Sequence, residues 1–160
     1  MVPTQGNDIE QGEATGGGAG SATRENLGFL LAKASQRWNE LLYERFVAAG
    51  FPDVRPSYGS ILLPLFEEDG LRMGELAARA RLSKQTMTTM VRLLERDGLV
   101  ERRADPSDGR AALVFLTERA RSFRPVAEET LLELDRLVVE TLSSEGRDEV
   151  QAALRVLADL

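Results

Sequence analysis

The stretch that decides the fold is Ser83-Lys84-Gln85-Thr86-Met87-Thr88-Thr89-Met90-Val91-Arg92-Leu93-Leu94-Glu95-Arg96-Asp97-Gly98. Ser83 is suited to the N-cap, where its hydroxyl accepts from an orphaned backbone N–H. Gly98 is suited to the C′ position, which takes a left-handed conformation without a Cβ clash. Between these signals Met87, Met90, Val91 and Leu94 recur at helical spacing and form one apolar stripe. Gln85, Thr89, Arg92 and Arg96 fall on another face, which is polar or positive and carries no acid. Amide, hydroxyl and guanidinium groups on such a face can pair with base edges and phosphates in a DNA major groove. An ordinary amphipathic surface helix has the same pattern, so the flanking sequence has to decide.

Upstream, Ser57 to Asp69 predicts a helix with Tyr58, Ile61, Leu62, Leu65 and Phe66 inward, bent by Pro64. Gly70-Leu71-Arg72 is a short extended connection. Met73 to Ala80 predicts a short helix with Gly74 as a weak cap. A short helix, a tight turn and a capped second helix make a helix-turn-helix. Downstream, Leu99-Val100-Glu101-Arg102-Arg103 reads as a strand, and Arg110 to Leu116 as its return. Between them Asp108-Gly109 is the expected hairpin dipeptide. The result is a two-stranded wing with basic residues at its base and tip.

The ends of the chain are different. Residues 1–22 are glycine-rich with almost no apolar side chains, which predicts a disordered tail. Residues 23–49 predict a long helix opened by Thr23, with a stripe through Leu27, Leu31, Ala34 and Trp38. After the Thr117 cap, a helix runs to about Leu142 with Pro125 kinking it near its start. Ser143 or Ser144 opens a last helix carrying Val150, Leu154 and Leu157. These long amphipathic helices hold more apolar surface than a small winged domain can cover. Pairing with a second copy across a two-fold axis is the simplest way to bury it.

Composition narrows the chemistry. With 42% hydrophobic residues in 160, the chain can form one sizeable core. Neither a membrane-length apolar run nor a signal segment is present, which points to the cytoplasm and away from a membrane. There is no Cys and no His, which excludes thiolate and imidazole catalysis and the usual zinc ligands; no cofactor is expected. Glu67-Glu68-Asp69 reads as a solvated helix end. The net charge of −6 is unevenly spread. Residues 79–110 hold eight Lys/Arg against five Asp/Glu, a local +3, leaving −9 for the rest. A locally basic element on an acidic body suits a positioned nucleic-acid contact.

Three segments, Gly74-Glu75-Leu76-Ala77, Leu82 to Thr88 and Leu94 to Arg102, together with Asp105-Pro106-Ser107-Asp108-Gly109-Arg110-Ala111 and Leu116-Thr117, resemble the multiple antibiotic resistance regulator (MarR) family of dimeric winged-helix transcription factors. The resemblance implies a mainly α fold, with a winged helix-turn-helix over 56–117 inside a single domain of 23–160. Residues 23–49 and 118–160 would be dimerisation helices. It implies a sequence-specific regulator of double-stranded DNA binding a pseudo-palindrome, most simply a repressor relieved by a small ligand, and not an enzyme. Arg110 would be the wing arginine that enters the minor groove, with Asp108 as its orienting partner; the alternative is a wing salt bridge that only fixes the hairpin. Ser83, Lys84, Gln85, Thr86, Thr88, Thr89 and Arg92 occupy recognition-helix positions, and Arg103 lies at the wing. Trp38, Tyr58 and Met73 hold positions suited to an aromatic or anionic effector, or simply to the core. Thr89 and Gly109 depart from arginines common among relatives, which implies a different operator preference and a less charged wing. A winged module acting through protein contacts, without DNA, is the competing reading.

Overall fold

The computed structural model describes residues 26–160. The 1–22 tail and the Thr23 cap lie outside the described residues. The chain divides into two units, Met1–Ala34 and Ser35–Leu160. Helix α1 spans Leu27–Ala48, and Asn26 Oδ1 accepts from the Phe29 N–H at 3.2 Å, so it is Asn26 that caps the helix. Leu27, Phe29, Leu30 and Leu31 of the first unit are exposed.

In the second unit a 3₁₀ turn (Pro56–Tyr58) leads into α2 (Gly59–Glu67), then β1 (Leu71–Arg72), α3 (Met73–Arg79) and α4 (Lys84–Arg96). The strands β2 (Val100–Asp105) and β3 (Asp108–Leu116) follow, and α5 (Glu118–Ala158) completes the unit. The apolar face of α4 forms as its spacing requires. Met87, Val91 and Leu94 are fully buried, against a core that includes Tyr58, Ile61, Leu65, Leu76, Leu99 and Val114. Truncating any of these large aliphatic side chains to Ala would cost about 2–5 kcal/mol.

The sheet has three strands, in the order β1-β3-β2, and all pairs are antiparallel. The two-stranded wing expected from sequence gains β1, which pairs Leu71 with Val114 and Arg72 with Leu113. Two residues are too few to register as a strand by alternation. What makes the pairing possible is Gly70, with φ +73°; a Cβ there would lie 2.6 Å from Phe115 Cε1. Asp69 completes the corner. Its Oδ1 accepts from the Gly70 and Leu116 N–H groups (3.0 and 2.8 Å), and its Oδ2 from Arg121 (3.0 Å). The solvated acidic helix end is therefore, at Asp69, a joint between sheet and α5.

Two local expectations are corrected. The hairpin turn is Pro106-Ser107, not Asp108-Gly109; β2 continues to Asp105, which pairs with Asp108 across a register shift. Proline presets φ for the turn, and the Asp105 carboxylate accepts from the Ser107 N–H and hydroxyl (2.8 and 2.7 Å). Arg72 also holds Asp105 at 2.5 Å. Nor does Gly74 cap α3: Arg72 is the N-cap and Gly74 lies inside the helix.

The expected break in the C-terminal helix is at Ser143, whose φ of 68° and ψ of 169° divide α5 into arms 118–142 and 144–158. Ser143 Oγ accepts from the Gly146 N–H and caps the second arm. Arg147 bridges the arms by pairing with Asp135 at 2.7 Å. Pro125 is accommodated with helical torsions. Leu137, Leu142, Val150, Leu154 and Val156 are left exposed along α5.

Candidate nucleic-acid interface

The recognition helix starts where the sequence places it. Ser83 Oγ accepts from the Thr86 N–H at 3.1 Å, a cap worth about 1 kcal/mol. The turn before it contains Arg81 at φ 53°, a left-handed residue with no glycine to announce it. The Leu82 N–H reaches back to the Ala77 carbonyl (3.0 Å) and the Arg81 N–H to Ala78 (3.2 Å), which closes α3 in a Schellman pattern. The Arg81 side chain donates to the Ala158 carbonyl at the end of α5 (3.0 Å) and pairs with Asp159 (2.8 Å).

At its other end α4 stops at Gly98, φ +73°, and Leu99 N–H returns to the Leu94 carbonyl (2.8 Å). Tyr58, fully buried, donates from its hydroxyl to Asp97 Oδ2 at 2.5 Å. The neighbouring Arg96 guanidinium, and then this hydroxyl, hold the Asp97 carboxyl below the usual aspartate range. Burial, reinforced by Asp97, pushes the Tyr58 phenol up. Thr117 finishes the arrangement, donating to the Gly98 carbonyl (2.6 Å) and accepting from the Ala120 N–H as the cap of α5. Thus α4 is fixed at both ends while its outer face is exposed.

One cleft of about 530 Å³ brings helix and wing together. It is lined by Lys84 and Thr88 of α4, Arg102 of β2, Arg110 of β3, Arg72 of β1, and Met73 and Glu75 of α3. Gln85, Thr86, Thr89 and Arg92 lie exposed elsewhere on α4. Among the described residues, the side chains of Lys84, Arg92 and Arg110 have no carboxylate partner. Their neighbours do: Arg102 pairs with Glu95 at 2.9 Å, and Arg96 with Asp97 at 2.9 Å. Arg103 pairs with Glu101 and stacks 4.5 Å from the Phe115 ring centroid. Asp108 does not hold the Arg110 guanidinium. Its Oδ1 accepts from the Arg110 backbone N–H at 3.1 Å, so it shapes the wing and leaves the side chain exposed.

The three effector-site candidates are not brought together. Trp38 lines an apolar cavity of about 280 Å³ with Leu42, Phe46, Leu62, Phe66 and Phe123, in which Arg55 is the one charged lining residue. Tyr58 is committed to Asp97, and Met73 lines the basic cleft. Sequence reasoning missed Arg55, whose place in the cavity depends on the 3₁₀ turn that follows it. Among the described residues no acidic cluster could hold a metal ion, and no helix is long and apolar enough to cross a membrane.

Comparison with known proteins matches these features. Residues 56–112 match the model of the MarR family. The chain is 34% identical over 102 residues to the helix-turn-helix (HTH)-type transcriptional regulator TtmR of Methylorubrum extorquens, covering 58% of this chain and 52% of that one. It therefore spans about half of that relative's length. It is also 34% identical over 93 residues to the HTH-type transcriptional repressor Rv2887 of Mycobacterium tuberculosis, covering 58% of this chain and 67% of the repressor. Among solved structures, the transcriptional repressor CouR bound to a 23-mer DNA duplex superposes with a TM-score of 0.70 and 28% identity, over 84% of this chain and 93% of CouR. CouR bound to p-coumaroyl-CoA superposes at 0.69 with 26% identity, over 84% and 92%. By these likenesses, and by the winged helix-turn-helix that underlies them, the chain belongs to the MarR family.

Proposed function

We propose that this protein is a homodimeric, sequence-specific DNA-binding transcriptional regulator that acts as a repressor and is released by a small ligand. The observation that carries the reading is the cleft in which Lys84 and Thr88 of the recognition helix meet Arg102 and Arg110 of the wing. Helix α4 enters the major groove, where Gln85 and Thr89 meet base edges. Ser83, Lys84, Thr86, Thr88 and Arg92 position it on the backbone. Arg110 enters the minor groove, where a narrow A·T-rich segment attracts a guanidinium. Asp108 sets the wing backbone for it, and Arg103, already paired, contributes less. The CouR repressor, bound to a DNA duplex, supports this docking by analogy.

Residues 23–49 and 118–160 supply the dimer interface. In each unit considered alone, these helices leave large apolar side chains exposed, Leu27 and Leu30 in one and Val150 and Leu154 in the other. The 280 Å³ cavity is the effector site. Its apolar walls and single guanidinium suit a small aromatic acid. CouR, solved bound to p-coumaroyl-CoA, supports the presence of a small-molecule effector with an aromatic group.

A band shift of the full chain on the DNA flanking its own gene, with and without aromatic carboxylates, tests the reading. Retardation at nanomolar protein that survives competitor DNA is the expected result. Binding to no sequence, or equally to all, would favour the protein-interaction module instead.

A further inference from the structure

Two of the three threonines of α4, Thr88 and Thr89, offer no free hydroxyl proton. Thr88 Oγ1 donates to the Lys84 carbonyl at 2.9 Å, and Thr89 Oγ1 donates to the Gln85 carbonyl at 3.2 Å. A hydroxyl has one proton, and once it is given to the carbonyl four residues back, none is left for a base acceptor. What Thr89 retains is an acceptor lone pair and its γ-methyl. A threonine in a helix divides between two rotamers, and the one present here places Oγ1 on the Gln85 carbonyl. Thr89 is exposed, and it lies one turn, about 6 Å along the axis, after Gln85. The Gln85 amide has no partner among the described residues and keeps both donor and acceptor for a base edge.

In the major groove the 5-methyl of thymine is the one apolar group that a base edge presents. Building on the DNA-binding reading above, we propose that Thr89 is a specificity-determining residue that reads a thymine by contact between its γ-methyl and the 5-methyl of the base, and not through its hydroxyl. Thr89 is thereby more than a shortened substitute for a longer polar side chain. It selects T at one position of each half-site.

The test starts with selection of a preferred duplex from a randomised pool by the full chain. Each thymine of the selected site is then replaced in turn by deoxyuridine, which lacks only the methyl. Binding is measured for the wild type, Thr89→Ser, which keeps the hydroxyl, and Thr89→Val, which keeps a methyl. At the value of one buried methylene, each lost contact weakens binding about fourfold, or about 15-fold for two half-sites together. The expected result is one uracil-sensitive thymine per half-site for the wild type and for Thr89→Val. Thr89→Ser should bind the thymine site about 15-fold more weakly and lose nothing further with uracil. Indifference of the wild type to every uracil would overturn the proposal. So would a Thr89→Val that loses binding while Thr89→Ser retains it. Matching melting curves would exclude misfolding, and failure to enrich any sequence would count against DNA reading itself, not merely against the role of Thr89.

Discussion

Three cations of α4 and the wing differ from four arginines of the helical frame in what they are bonded to. In the frame, Arg119 pairs with Asp53, Arg121 with Asp69, Arg45 with Glu133 and Arg147 with Asp135, each joining segments far apart in the chain or across a break. On α4 and β3, Lys84, Arg92 and Arg110 have no carboxylate partner among the described residues. The difference divides the labour. A guanidinium that donates to an internal carboxylate fixes the geometry of the protein. One without such a partner keeps its charge available to a polyanion, since no ion pair has to open before it binds. Arg102 and Arg103 lie between the two classes, next to the cleft but already paired.

The largest expected effect comes from removing the unpaired set. The triple variant Lys84→Ala, Arg92→Ala and Arg110→Ala loses six charges per dimer and should bind its operator on the order of a thousandfold or more weakly at physiological salt. Its melting temperature should hold, because none of the three side chains has an internal partner. Fluorescence anisotropy and thermal denaturation check the two halves separately, and a large fall in stability would break the division.

Next in size is Tyr58→Phe. It removes a buried hydroxyl bonded to a charged carboxylate and should cost about 1.5–3 kcal/mol in urea denaturation. The apolar ring remains, so the fold should persist with a lower denaturation midpoint. An unchanged midpoint would mean that Tyr58 does not hold the end of α4.

The paired frame also predicts an acid limit. Asp53 is held below its usual 3.8 by Arg119, Asp97 by Arg96 and Tyr58, and Glu133 below 4.5 by Arg45. A carboxylate whose folded pKa is depressed contributes stability that is present above the unfolded value and is lost as pH falls through the folded one. The melting temperature should therefore stay nearly flat from pH 7 to about 5 and drop below about 4. A decline beginning near pH 6 would require a different group, and the chain has no histidine to provide one.

The smallest effect sharpens the contrast. Arg119→Ala removes a half-exposed pair with Asp53 and should cost about 1 kcal/mol or less, with operator affinity unchanged.

Much of this arrangement is legible in the sequence where it depends on local signals. The Ser83 cap, the Met87/Val91/Leu94 stripe, the Gly98 stop, the Thr117 cap and the break at Ser143 each involve residues a few positions apart. What is not legible depends on distant partners. Leu71-Arg72 becomes a strand only because β3 passes alongside, and Tyr58 finds Asp97 39 residues away. Asp69 reads as one of three solvated acids until Leu116 and Arg121 reach it. At the wing, two turn signals compete within four residues. Pro106-Ser107 prevails over Asp108-Gly109 because Asp105 can bond to Ser107, a side-chain choice that dipeptide preference does not encode. Among the candidate site residues, the α4 positions follow from helical phase, and the bonding of Arg103 and Asp108 does not.

The central claim, that DNA meets the unpaired cations of α4 and β3 while the paired ones around them stay with the protein, is tested most directly by the salt dependence of wild-type operator binding. The three unpaired cations of α4 and β3 in each protomer make six contacts per dimer, which predicts a slope of about −5 in log affinity against log salt. If the paired Arg72, Arg96, Arg102 and Arg103 were also drawn onto the DNA, fourteen contacts would give a slope of about −12 to −13. A slope near −5 is the result this account predicts, and one steeper than about −10 would contradict it.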